Sequence, residues 1–273
     1  MSTAPAEIRF DDGAAYEQFM GVWSRLAGER FLSWLDAPAG TRWLDVGCGN
    51  GAFTELLIER AAPASVQGID PSEGQLAYAR TRLADAPAQF RQGDAMALPW
   101  PDGAFDAAVM ALVIFFVPEP ARGVAEMARV VRPGGIVSSY AWDILGGGFP
   151  FAVLQEEMAH FGTPPLWPPS VGASRMEALQ ALWREAGLVD VETCEIAVER
   201  SFADFDGFWK IAQTGPRLLP RFAAMAPGEL EAMKGRVRAR LSADAAGRIV
   251  CSAKANAIRG RVGNANAIRG RVA

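Results

Sequence analysis

The chain has 273 residues, 50% of them hydrophobic and 21% charged, with a formal net charge of −4. That length suits one large α/β domain or a domain with a small appended lid. The charge balance gives no reason to expect a nucleic-acid-binding surface, and no Lys/Arg cluster suggests one locally.

Residues 14–35 place Phe19, Val22, Trp23, Leu26, Phe31 and Leu35 at helical spacing. Strand and helix signals then alternate. Strands are expected at 41–47, 64–70, 88–94, 105–111 and 135–142, and helices at 52–61, 72–83 and 119–132. Repeated strand–helix–strand units mean a parallel sheet with helices on both faces, because each crossover is long and right-handed. Beyond Asp143 the rhythm changes to Gly/Pro-rich loops around a short helix, then a helix near 175–187 and a strand at 189–199. A helical stretch over about 204–242 precedes a last strand at 248–258, which reads as a cap over the carboxyl edge of the sheet.

The expected division is therefore a helical lid over 1–40, a Rossmann-like core over 41–144, and the rest of the sheet with a helical cap over 145–262. A tail at 263–273 follows. It carries a second copy, at 265–272, of the "ANAIRGRV" found at 255–262. A hairpin turned by Gly263-Asn264 is one reading. A duplicated coding stretch whose second copy dangles is preferred, since termini tolerate additions.

Cys48, Cys194 and Cys251 are far apart and fit no metal-ligand spacing, and His160 is the single histidine. No metal site is expected. Reduced thiols point to a cytoplasmic protein. The N-terminus lacks a basic start followed by an apolar stretch, and the longest apolar run, "FDAAVMALVIFFV", is too short to span a bilayer.

The chemistry concentrates in "WLDVGCGNGAF", residues 43–53. Gly47, Gly49 and Ala52 fit the dinucleotide pattern G-x-G-x-x-A, which presents backbone N–H groups and a helix N-terminus to a pyrophosphate. Asp45, two residues before Gly47, would repel that dianion and attract a cation. A ligand with an amino-acid moiety and a sulfonium, S-adenosylmethionine, suits both features. Asp70 ends the second strand, where an acid accepts ribose hydroxyls, and Asp94 follows the third. Three acids at the ends of strands one to three line one crevice at the topological switch point.

With these residues the sequence resembles the class I S-adenosylmethionine-dependent methyltransferases, particularly the methyltransferase type 11 domain found in ubiquinone/menaquinone-type and small-molecule enzymes. "LDVGCGNG", "VQGIDPSEGQL" and the stretch from "FRQGDAMALPW" to "RPGGIV" carry the likeness over 41 to about 142. The resemblance implies a doubly wound seven-stranded sheet of order 3-2-1-4-5-7-6 with strand seven antiparallel. It implies that Asp45, Gly47, Cys48, Gly49 and Gly51 surround the methionine part and that Asp70 and Pro71 meet the ribose. It likewise places Asp94, Ala95 and Met96 at the adenine and the Ala111 carbonyl at the methionine ammonium. Tyr16, Met20, Trp23 and Arg25 of the first helix would fold over the cofactor. The asparagine-proline-proline-aromatic motif of DNA amino-methyltransferases is replaced by "ALVI" at 111–114.

The favoured acceptor is a small, fairly apolar molecule: Phe115 and Phe116 serve either as its pocket wall or as core, Trp142 follows strand five at the active-site edge, and Trp167 lines a pocket under the cap or belongs to the cap's core. His160 and Asp143 are the weak candidates for handling a substrate proton. Phe205, Phe208 and Trp209 serve either as pocket lining or as the core of the cap. Two other readings stay open: an NAD(P)-type oxidoreductase, and a donor-binding protein without transferase activity.

Overall fold

The computed structural model describes residues 17–165, 167–215 and 218–263. Tyr16 and the second copy of the repeat lie outside these. The first helical segment opens with a π turn, Glu17–Gly21, and continues as α1, Val22–Leu35. Seven strands follow: β1 Arg42–Val46, β2 Ser65–Asp70, β3 Ala88–Gln92, β4 Phe105–Ala111, β5 Val131–Trp142, β6 Leu188–Phe202 and β7 Ile249–Val262. They form one sheet of order β3-β2-β1-β4-β5-β7-β6. The first five are parallel, and β7 runs antiparallel to both β5 and β6.

The helices between the strands are α2 Ala52–Ala61, α3 Glu73–Arg82, α4 Pro120–Val130, α5 Ala152–His160 and α6 Met176–Glu185. Ser72 caps α3 by accepting from the Gln75 N–H, and Pro120 occupies the first turn of α4, where a missing N–H costs nothing. One sheet face carries α1 and α2, which cross over Tyr140; its ring lies 4.6 Å from Phe31 and 5.8 Å from Phe53. The other face carries α4, close-packed through Gly123 against Met110, and α6, whose Trp183 indole donates to the Val137 carbonyl at 3.0 Å.

Several boundaries differ from the sequence expectation: β3 stops at Gln92 and β6 runs on to Phe202, and three further differences have identifiable causes or consequences. Strand β5 begins at Val131, four residues early, because Val131 already pairs with Phe105; the "RPGG" segment then bulges out of the ladder, and pairing resumes between Ile136 and Ala107. The helical stretch after β6 breaks into α7 Phe205–Ala212, α8 Leu219–Ala224 and α9 Pro227–Arg240, with a proline in the first turn of each of the last two. Strand β7 extends to Val262, so the first repeat copy lies within it. Both edges of β7 are paired there, by β5 from Ala255 to Arg261 and by β6 through Val262.

Past the last β5 pair at Trp142 and Ala255, β6 is the one strand that pairs with residues 249–254; Ile249 also bridges Ala243, and Lys254 exchanges backbone bonds with Asp143 and Gly148. This two-stranded ribbon carries α7–α9 beyond the carboxyl rim of the sheet. An aromatic cluster ties it to the N-terminal segment: Phe19 stacks on Phe151 at 4.2 Å, Phe151 lies 5.9 Å from Phe208, and Trp209 stacks on Phe222 at 5.4 Å. Phe205, Phe208 and Trp209 are buried and form the core of the cap. Helix α9 is held to α5 by Glu157, buried between Arg236 and Arg240.

Candidate active site

The turn from β1 into α2 is closed by backbone bonds to the neighbouring strand: the N–H groups of Gly47 and Cys48 both donate to the Ile69 carbonyl. Gly47, Gly49 and Gly51 have φ of 78°, 52° and 80°, a region that L side chains avoid. Their surroundings differ. A Cβ at Gly47 would stand 2.5 Å from Val113, and one at Gly51 would stand 3.1 Å from Ala79, so these two glycines admit the protein's own packing. A Cβ at Gly49 would meet nothing nearer than Gln75 at 3.8 Å. Gly49 alone faces open space. Cys48 is buried with its sulfur over Gly68, and desolvation pushes its thiol pKa far up, which makes it a filler of the sheet face.

Asp45 is fully buried. Its Oδ2 accepts from the Thr54 hydroxyl at 2.6 Å, while Oδ1 has no partner. Desolvation, followed by repulsion from Asp70, outweighs the Thr54 hydrogen bond and raises the Asp45 pKa to about 7. An orphaned carboxylate oxygen beside a glycine turn is costly for the protein alone and fits a cationic group. Asp70, at the end of β2, accepts from the Gly49 N–H at 3.0 Å through Oδ2 and from the Ser72 N–H at 2.9 Å through Oδ1. Burial raises its pKa, opposed by these two bonds. The carboxylate thereby holds the glycine turn against the start of α3, and the Pro71 carbonyl accepts from Gln92.

Asp94 is exposed and closes a turn, its Oδ1 accepting from the Met96 N–H at 2.8 Å while its carbonyl accepts from Ala97. Ala95 and Met96 are half-buried at that turn. At the end of β4, the Leu112 N–H still bonds the Tyr140 carbonyl, but Leu112 has φ of 61°. Such a conformation costs about 1–3 kcal/mol in a non-glycine residue and concentrates at functional sites. It turns the chain off the sheet just after Ala111 and brings Val113 under Gly47. Nothing in "ALVIFF" signals this kink.

Met20 and Trp23 are buried; Trp23 sits edge-on to Phe151, and its indole N–H is unpartnered. Arg25 bonds Glu59 of α2 at 2.8 Å on the outer surface, with Glu29 also near. Phe115 and Trp142 are buried, Phe116 is half-buried, and Trp167 is 43% exposed. His160 is exposed at the end of α5 with Nδ1 on the Glu156 carbonyl, and Asp143 accepts from the Gly146 N–H to close its own turn. The structure thus brings Asp45, Asp70 and the glycine turn together and leaves His160 on the surface. A separate concavity of about 550 Å³, bordered by Arg42, Ser65, Gln89 and Trp100, opens where β1 and β2 begin, at the rim opposite the glycine turn. Among the described residues no cluster of three or more His, Cys, Asp or Glu could hold a metal ion, and no helix is long and apolar enough to cross a membrane.

Residues 44–139 match the family model described as a methyltransferase domain. A phosphatidylethanolamine N-methyltransferase of Cereibacter sphaeroides is 35% identical over 172 residues, covering 60% of this chain and 81% of that protein. A demethylmenaquinone methyltransferase of Desulfitobacterium hafniense is 37% identical over 110 residues, which span 38% of this chain and only 44% of that protein. Among solved structures, Haemonchus contortus phosphoethanolamine N-methyltransferase 2, in complex with phosphomonomethylethanolamine and S-adenosylhomocysteine, superposes with a TM-score of 0.59 at 17% identity. That match covers 94% of this chain and 59% of the other. With the sheet order, the glycine turn and these likenesses together, the chain belongs to the S-adenosylmethionine-dependent methyltransferases.

Proposed function

We propose that the protein transfers a methyl group from S-adenosylmethionine to a small, fairly apolar acceptor. The observation that carries this reading is the unpartnered, fully buried Oδ1 of Asp45 beside the glycine turn. A pyrophosphate would meet that carboxylate with like charge, which disfavours the oxidoreductase alternative; a cationic amino acid does not. Asp45 and the turn at Gly49 would hold the amino-acid portion, Asp70 the ribose, and the Asp94–Met96 turn the adenine. When bound, the donor supplies an electrophilic methyl group on a sulfonium.

The chain's own contribution is then alignment and exclusion of water. Holding two reactants as a near-attack pair accounts for about 7–11 kcal/mol of barrier. The ribbon of β6 and β7, helices α7–α9 and the N-terminal segment, knitted by Phe19, Phe151 and Phe208, provide a rigid cover on that side of the sheet. Phe116 and Trp167 keep exposed surface that suits an apolar acceptor. Relatives named for demethylmenaquinone and phosphatidylethanolamine support such an acceptor class.

Fluorescence titration of the purified protein with S-adenosylhomocysteine and with NADH is the first test. Saturable binding of NADH alone defeats the proposal. Because His160 is exposed at the end of α5 and Asp143 closes its own turn through Oδ1, a donor-binding protein without transfer is the second reading. Turnover of methyl-labelled donor with a panel of lipid-like acceptors separates it from the first.

A further inference from the structure

Parallel strands are usually joined by a helix, yet the connection from β3 to β4 contains none. An irregular segment must find partners for its backbone groups elsewhere. Here they come from α4. The Leu98 N–H donates to Glu126 Oε2 at 2.8 Å, and the Leu98 and Trp100 carbonyls accept from Arg129 at 2.9 and 2.8 Å. Arg129 also donates to Asp102 at 3.0 Å, and the Gly103 N–H returns to the Arg129 carbonyl. Glu126 and Arg129 are themselves joined by two bonds of 2.7 Å, which fix the guanidinium plane. Leu98 is buried.

This clamp begins four residues after Asp94. The Asp94–Ala97 turn is therefore fixed on one side by β3 and on the other by a segment that one arginine ties at three points. We propose that Arg129, oriented by Glu126, is a positioning residue of the donor site: by anchoring Leu98 and Trp100 it sets where Asp94, Ala95 and Met96 face the purine of the donor. The inference rests on the adenine assignment made above. A lysine cannot replace the fork, since a single ammonium does not reach two carbonyls and a carboxylate in one plane.

The test uses the full chain and calorimetric titration with S-adenosylhomocysteine and with its inosine analogue, which lacks the exocyclic amine. The native protein should prefer the adenosine form. Arg129→Gln and Arg129→Lys should each weaken S-adenosylhomocysteine binding tenfold or more and reduce that preference to the level of Asp94→Ala. Glu126→Gln, a milder change that covers the case of an arginine variant failing to fold, should lower the preference about threefold. A folded Arg129→Gln protein with the native preference, beside an Asp94→Ala protein that has lost it, overturns the positioning role and leaves the adenine assignment standing. An unchanged preference in Asp94→Ala removes both.

Discussion

If Asp45 faces the donor as proposed, its buried carboxylate makes donor affinity depend on pH in a calculable way. Its pKa is raised from 3.8 to about 7, chiefly by desolvation. If the ionised form is the one that accepts the cationic donor, affinity follows the ionised fraction, which climbs from about 0.1 at pH 6 to about 0.9 at pH 8, roughly a tenfold gain. The stability of the free protein moves the other way. A carboxyl whose folded pKa lies above its unfolded value binds more protons when folded, so stability falls as pH rises between those two values. The full decline is about 4 kcal/mol for the shift cited, complete above pH 7. Asp70 is also raised by burial and titrates in the same direction, whereas Cys48 stays protonated. Calorimetric titration with S-adenosylmethionine at pH 6, 7 and 8, with thermal melts of the free protein alongside, measures both trends. Asp45→Asn separates the two acids: it should weaken binding, flatten the pH dependence and stabilise the free protein at pH 8. A flat native profile, or an Asp45→Asn profile with the native slope, refutes the reasoning.

Gly49→Ala and Gly47→Ala should split affinity from stability. The first places a methyl group in open space and should lose donor affinity at a cost of about 1 kcal/mol in stability, whereas the second, driven into Val113, should cost several times more. Melting curves and donor titration on the same samples read the difference. Asp70→Ala strips the acceptor from the Gly49 and Ser72 N–H groups and should weaken donor binding at least tenfold, each charged hydrogen bond contributing about 1.5–3 kcal/mol; unchanged calorimetric affinity in a folded variant rejects the ribose assignment. Glu157→Gln removes the carboxylate and leaves the half-exposed Arg236 and Arg240 to water, and should destabilise the protein by about 1 kcal/mol, seen as a lower denaturant midpoint. Glu157's folded pKa is depressed, so its stabilisation is present above its unfolded pKa and lost as pH falls through the folded one. Truncation after Gly263 removes the second repeat copy and should leave melting temperature and donor affinity unchanged.

Period-two and period-3.6 patterning, turn glycines and strand-end acids act within a few residues of themselves, so they can be read along the chain. That is why β1 to β4, α2 and the glycine turn lie where the sequence places them, and why Asp45, Asp70 and Asp94 stand out before any coordinates. Contacts between distant segments follow a different logic, because they exist only once the topology brings two elements face to face. Thr54 meets Asp45 because α2 folds back over β1, and Val113 explains Gly47 because Leu112 turns left-handed at the end of β4. Phe151 links the N-terminal helix to the cap across more than a hundred residues of chain. Arg25 faces Glu59 through the crossing of α1 over α2, which no spacing rule anticipates. Local chemistry thus announced the glycine turn and its acids, and long-range packing decided which carboxylate oxygen is left without a partner, which glycine faces open space and which arginine clamps the β3–β4 connection.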